Sequence, residues 1–214
     1  MAHAALLSEE AALRRLLPMD MLPAAAMDKF RVVVADPPWA FSDKLKMSDV
    51  KRGAEANYRT LTVKDVAALP VADWVTKDAL LALWVPSSLL EDGMMVMKGW
   101  GFVQKQIYTW VKETKTGKIA FGMGRQFRGA TEHALIGTRG SPKPTSKSER
   151  NVDLWVSLPH SKKPERLQDH LEKMYPEGPY LELFARRSRP GWTCFGNEAP
   201  GYAGIDVREW NPFA

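Results

Sequence analysis

Residues 32–41 read Val32-Val33-Val34-Ala35-Asp36-Pro37-Pro38-Trp39-Ala40-Phe41. A short β-branched apolar run is the pattern of a strand buried on both faces. Two prolines, which have no N–H to give to a ladder, stop it. Asp36, Pro37, Pro38 and Trp39 therefore stand at the carboxyl end of a strand, where open α/β sheets bind their ligands. Their chemistry is narrow. A carboxylate and two proline carbonyls make a mouth rich in acceptors and poor in donors, and an indole can stack on a planar guest. A heterocycle with an exocyclic amino group suits such a mouth. Adenine N6 and cytosine N4 both qualify, whereas a keto oxygen is repelled. The same residues also suit a Pro-Pro turn capped by an aspartate beside a core tryptophan, and on these four alone both readings stand.

The rest of the chain narrows the class. It has 214 residues, 45% hydrophobic and 26% charged, the balance of one globular domain with a full core. No apolar run approaches the roughly 20 residues that cross a bilayer. Glu9 and Glu10, ahead of Arg14 and Arg15, break the pattern of a secretory leader. The single cysteine, Cys194, excludes an internal disulfide framework and points to a reducing, cytoplasmic setting. Its place between Thr193 and Phe195 in a strand-like run marks it as buried filler. His3, His133, His160 and His170 show no metal-ligand spacing, so no metal is expected.

Net charge is +5 with a pI near 9.3, which favours attraction to polyanions. The cations gather in four groups: Lys44, Lys46, Lys51, Arg52 and Arg59; Arg139, Lys143, Lys147 and Arg150; Lys162, Lys163 and Arg166; Arg186, Arg187 and Arg189. Three of these groups follow predicted strands and are expected near one rim of the sheet.

Ser8 caps a predicted helix over 9–17, ended by Pro18 and Pro23. Residues 42–57 lack periodicity and read as a mobile loop. Thr62, with Asp65 near the capping-box position, opens a helix over 62–69. Residues 79–85 are a second buried strand and 89–98 a helix whose methionines suit a core. Strand 107–111, a long loop over 113–130, strand 134–137 and the basic loop 139–150 follow. Residues 154–156 are extended. Pro164 opens a helix that runs through Met174 and stops before Pro176, and strands 181–185 and 192–195 close the series. Alternating strands and helices predict an α/β fold with a doubly wound, mainly parallel sheet. The usual Gly-x-Gly-x-x-Gly turn is missing.

Asp36-Pro37-Pro38-Trp39 resembles the signature of the MT-A70 adenine methyltransferases. Further landmarks follow in order: Asn57-Tyr58-Arg59-Thr60-Leu61-Thr62, Leu83-Trp84-Val85, Trp100-Gly101-Phe102, Trp110-Val111-Lys112, Glu132-His133, Gly137-Thr138-Arg139-Gly140, Ser161-Lys162-Lys163-Pro164, Glu182-Leu183-Phe184-Ala185-Arg186 and Gly196-Asn197-Glu198. Four residues match by chance easily; an ordered series from about Arg31 to Glu198 does not. The resemblance implies a Rossmann-like class I S-adenosylmethionine-dependent methyltransferase fold in permuted motif order, with Glu182-Leu183-Phe184-Ala185-Arg186 where related folds carry a glycine-rich turn. One domain is expected over 1–214: an N-terminal helical extension (1–29), a catalytic core (30–198) and a C-terminal tail (199–214).

By the same resemblance S-adenosyl-L-methionine is the cofactor, held by Asp36, Lys163, Glu182, Arg186, Asn197 and Glu198. Lys163 meets its methionine carboxylate. Arg186, Asn197 and Glu198 lie about the ribose, and Glu182 is a buried acid close by. Asp36, Pro37, Pro38 and Trp39 are the catalytic set, and Trp39, Phe41 and Tyr58 line the base pocket. The implied reaction is methyl transfer to adenine N6 of a flipped or unpaired base in DNA, with relaxed sequence preference. RNA as substrate, cytosine N4 as target and a noncatalytic partner subunit of the same fold are the alternatives. Nucleic acid is the implied partner, no membrane is involved, and a homodimer is compatible with the sequence.

Overall fold

Strand β1 (Phe30–Ala35) has Val32, Val33 and Ala35 fully buried, and it lies inside a seven-stranded sheet in the computed structural model. Each buried valine contributes about 1.5–3 kcal/mol relative to exposure, so this strand anchors the domain. Residues 28–39, 61–124, 126–158, 162–202 and 204–213 are described by the structure. The expected helix over 9–17, the loop 42–57, Phe41, Tyr58 and Ser161 lie outside them.

The other strands are β2 (Val75–Val85), β3 (Val103–Glu113), β4 (Thr131–Arg139), β5 (Val152–Val156), β6 (Tyr180–Leu183) and β7 (Trp192–Phe195). Their order across the sheet is β5-β3-β4-β2-β1-β6-β7. β1 pairs in parallel with β2 on one side and β6 on the other, β6 with β7 and β3 with β5. β4 alone is antiparallel to its neighbours β2 and β3. The sheet is thus mainly parallel as expected, with one reversed strand that the sequence reading did not separate from the rest.

Helices α1 (Val63–Ala67), α2 (Val71–Trp74), α3 (Leu90–Gly99) and α4 (Arg166–Met174) flank it. Thr62 caps α1 as the sequence predicts. Its hydroxyl accepts from the Asp65 N–H, and the Asp65 carboxylate accepts from the Thr62 N–H in return. On α3, Met97 is buried while Met94 and Met95 are exposed, so one of the three methionines serves the core. One core face packs α1 and α3 against Val33, Leu81, Leu83 and Leu135; the other packs α4 against Val34, Trp84, Tyr108 and Cys194. The segment after residue 198 is no loose tail. Trp210 stacks on Phe195 at 4.2 Å between centroids, and Phe213 stacks on Phe30.

Candidate active site

The strand order makes β1 the topological switch point, because the chain proceeds to β2 on one side and to β6 on the other. A crevice at the carboxyl ends of β1 and β6 is where such sheets bind ligands. Asp36 continues β1 by one residue, its N–H donating to Leu183 O at 3.3 Å. The two prolines then turn the chain, and Trp39 N–H donates to Pro37 O at 2.8 Å. One lone pair of the Pro37 carbonyl is therefore already engaged.

Lys163, from the segment leading into α4, brings its ammonium 2.9 Å from Asp36 Oδ2 and 3.2 Å from Glu132 Oε2. Lys112 Nζ holds the other Glu132 oxygen at 2.5 Å. The reversal of β4 explains the convergence: Glu132 and His133 begin that strand and so meet the carboxyl ends of β3 and β2. Lys163 also lies over the Trp84 ring, 5.7 Å from its centroid. Burial alone drives the Lys163 pKa down, but the Asp36 and Glu132 carboxylates outweigh it and hold the ammonium above its ordinary value. Burial alone raises the Glu132 pKa, and Lys163 and Lys112 overcome that and pull it below the usual carboxylate range. Glu132 and Lys112 appear in the sequence only as landmarks. Nothing in local sequence marks them as partners of Lys163.

The missing glycine turn has a structural substitute. Phe184, just after β6, takes a left-handed backbone with φ 63°, a conformation that costs a non-glycine residue about 1–2 kcal/mol. Gly196, after β7, presses against this turn, and a Cβ there collides with Ala185 O and N. The glycine is thus supplied by the neighbouring strand. Beside it, Arg186 Nε lies 3.7 Å from Glu198 Oε1, and Asn197 Oδ1 accepts from the Gly204 N–H at 3.1 Å. Glu182 faces α4, where Gln168 Nε2 donates to it at 3.1 Å. Burial raises the Glu182 pKa, as befits an acid beneath the site rather than in its mouth.

Three expectations need correction. Trp39 offers no open face for stacking: it is 4% exposed, belongs to the core, and its indole N–H donates to Trp84 O at 2.9 Å. Of the alternatives left open by the sequence, a core tryptophan is the one observed, and its role is to hold the Asp36 turn. The basic loop 139–150 lies at the opposite rim. β4 runs backwards, so Arg139 pairs with Ala79 near the start of β2, and the Arg31 guanidinium at the start of β1 donates to Lys143 O. Finally, the cations after β6 are mostly engaged. Arg187 meets Glu165 at 2.7 Å, and Arg189 is gripped by Glu165, Asp169 and Glu172 of the α4 region, each at 2.7 Å.

A seven-stranded α/β sheet with this acidic, proline-flanked turn at its switch point defines a Rossmann-like methyltransferase. The MT-A70 family model matches residues 30–198, and the chain belongs to that family, whose members are S-adenosylmethionine-dependent adenine-N6 methyltransferases. The chain is 29% identical over 202 residues to the type II methyltransferase M.MunI of Mycoplasma sp, covering 86% of this chain and 84% of that protein. It is 30% identical over 204 residues to the human N(6)-adenine-specific methyltransferase METTL4, covering 83% of this chain and 39% of the relative. With the N6-methyladenosine RNA methyltransferase MTA1 of Cryphonectria parasitica it shares 30% over 189 residues, 82% of this chain and 53% of the relative. Against an N(6)-adenosine-methyltransferase MT-A70-like protein of Arabidopsis thaliana it spans only 24% of the relative's length. None of the described helices is long and apolar enough to cross a membrane. No group of three or more metal-ligating side chains occurs among the described residues.

Proposed function

We propose that this chain transfers a methyl group to N6 of adenine in DNA, on a flipped or unpaired base. The observation that carries the reading is the Asp36 carboxylate at the switch point, held by Lys163 and flanked by two proline carbonyls. The donor set fits S-adenosylmethionine by its chemistry. The Lys163 ammonium suits its carboxylate, Asp36 its ammonium, and Arg186, Asn197 and Glu198 its ribose hydroxyls. Once bound, the cofactor supplies a methyl group already activated on a sulfonium, so little acid–base machinery is required of the protein. Asp36 accepts a hydrogen from the target amine and so directs the nitrogen lone pair. Pro38 O, and the second lone pair of Pro37 O, are the remaining acceptors. Trp39 keeps that turn rigid from the core, which favours the in-line geometry that methyl transfer requires.

DNA is favoured because a relative with which the chain is nearly coextensive is a type II methyltransferase. A net charge of +5 attracts a polyanion without reading its sequence, and on that ground we infer a sequence preference limited to the neighbours of the flipped base. Binding then falls steeply with salt through counterion release. The test is incubation with labelled cofactor and matched DNA and RNA, followed by modified-nucleoside analysis and sequencing of the product. N6-methyladenine in DNA, lost in Asp36→Ala with the fold intact, is the expected result. N4-methylcytosine, an excess of RNA product, or methylation confined to one motif longer than about four bases each overturns the corresponding part. Cofactor binding without any product supports the noncatalytic alternative.

A further inference from the structure

At the rim opposite the Asp36 crevice, residues 140–150 carry the chain from the end of β4 towards the start of β5 without helix or strand. The stretch Gly-Ser-Pro-Lys-Pro-Thr-Ser-Lys-Ser-Glu-Arg has no apolar side chain besides its two prolines, so hydrogen bonds rather than burial must hold it. They do so along its whole length. The Ser141 N–H donates to Asp78 Oδ1 at 2.7 Å, the Arg31 guanidinium to Lys143 O at 3.1 Å and the Thr145 N–H to Met174 O at 2.8 Å. Glu149 meets His170 Nδ1 of α4, whose Nε2 meets Asp153 Oδ2 at 2.6 Å. Pro142 and Pro144 fix their own φ angles between these points.

The backbone of this loop is tied down while its cations stay outside. Lys143, Lys147 and Arg150 are exposed, as are Lys77 and Lys105 near the starts of β2 and β3 at the same rim. No carboxylate among the described residues pairs with any of the five. Of the acids at this rim, Asp78 is engaged by Ser141 and Glu149 by His170 and Lys173, whereas Asp28, Asp73 and Glu177 are exposed. The crevice rim has exposed cations of its own, Lys115, Lys118 and Arg128 on the connection between β3 and β4. The 11 residues of β2 run from one rim to the other, which at ~3.3 Å each sets the two cationic surfaces roughly 35 Å apart. A duplex held across the crevice for base flipping lies at one rim and leaves the other free.

We propose that the rim formed by residues 140–150 binds the phosphate backbone of a second nucleic-acid segment while the crevice holds the first. The proposal rests on nucleic acid being the partner of this chain. Size fits. The loop reaches from its bond with Arg31 of β1 to β5, four strand spacings away, or roughly 19 Å at about 4.8 Å each. Phosphates recur every ~3.4 Å along each strand of a duplex, so the row faces about five or six base pairs. The hydroxyls of Ser141, Ser146 and Ser148 add neutral donors of the kind that phosphate oxygens accept. Because the loop is already ordered, little freedom is lost on binding. A lipid surface is a poorer match, since the loop has no large apolar side chain to insert.

Fluorescence anisotropy of a labelled duplex of about ten G·C pairs reads this with the full chain and without cofactor or turnover, so the outcome does not depend on methyl transfer to DNA. The wild type is expected to take up two such duplexes per chain at low salt, and Lys143→Gln with Lys147→Gln only one. The same pair of substitutions is expected to reduce the slope of log affinity against log salt by about 1.8, two phosphate contacts at ~0.9 each. Met94→Glu with Met95→Glu, on the exposed side of α3, lowers the net charge by the same amount and should leave stoichiometry and slope as in the wild type. One duplex per chain in the wild type overturns the proposal, as does an unchanged slope in the folded lysine variant. Equal effects of the two pairs reduce the attraction to diffuse net charge and overturn it too, and so does tighter binding of anionic phospholipid vesicles through the same lysines. Acetylation of the wild-type chain covers the case in which the variant does not fold. The duplex must then protect Lys143 and Lys147, and equal labelling with and without it refutes the second surface.

Discussion

Lys163→Ala probes the centre of the site. Its ammonium lies 2.9 Å from Asp36 and 3.2 Å from Glu132, and a ligand carboxylate meets it as a third anion. Losing a hydrogen bond to a charged group costs about 1–3 kcal/mol, which is roughly a 5- to 150-fold weaker S-adenosylmethionine affinity. The fold survives, because Lys112 still holds Glu132 and the three side chains are 16–28% exposed, so water re-solvates what is left. The stability loss is therefore about 1–2 kcal/mol, below the ~3–5 kcal/mol of a fully buried broken pair. The pH dependence carries a sign. A carboxylate with a depressed pKa contributes stability that is present above its unfolded value, near 4.5 for Glu132, and lost as pH falls through the folded one. A lysine with a raised pKa contributes stability that is present below 10.5 and lost as pH rises through the folded value. In Lys163→Ala the alkaline loss disappears and the acid limb below about pH 4.5 flattens, since Glu132 keeps only Lys112. Titration calorimetry at neutral pH and urea melts across the pH series read both. Wild-type affinity in the folded variant, or an unchanged acid limb, refutes this account of the site.

Three further outcomes follow from the packing. Trp39→Phe leaves Trp84 O without its donor at a cost of about 1–3 kcal/mol, while Trp39→Ala adds a cavity and reaches about 3–5 kcal/mol. Thermal melts separate the two, and a Trp39→Ala protein of unchanged stability but lost activity would return the indole to base stacking. Gly196→Ala drives a methyl into the Ala185 backbone and is expected to cost about 1–3 kcal/mol together with cofactor affinity. Normal binding by calorimetry would mean the Phe184 turn is not part of the pocket. Burial, aided by the nearby Glu182 carboxylate, pushes the Cys194 thiol up to about 12. Native protein at neutral pH should therefore resist iodoacetamide until urea unfolds it, and rapid native labelling seen by mass spectrometry would contradict the buried placement.

Local pattern made much of this legible. The Val32–Ala35 run and its proline stop define a strand end by sterics and missing donors, and Thr62 with Asp65 declares a helix start through its own hydrogen bonds. Glu182, Arg186, Asn197 and Glu198 lie within three residues of the carboxyl ends of β6 and β7, so order along the chain was enough to place them at one rim. The direction of β4 was not legible, because side-chain alternation reads the same both ways along a strand. Its one trace is the connection over 114–130, whose described residues hold no helix of the kind that usually carries a parallel crossover. That single reversal decides much of the site. It brings Glu132 to Lys163 and sends Arg139 and Lys143 to the far rim. The inward turn of Trp39 was likewise a tertiary decision, since an indole at a strand end suits a core or a ligand equally and Trp84 O, 45 residues away, supplies the acceptor that settles it. Short-range sterics and hydrogen bonds thus wrote the elements and the Asp36 turn into the chain itself. The Lys163–Asp36 contact spans 127 residues, and only the closing of the whole sheet brings charges so far apart in sequence within bonding distance.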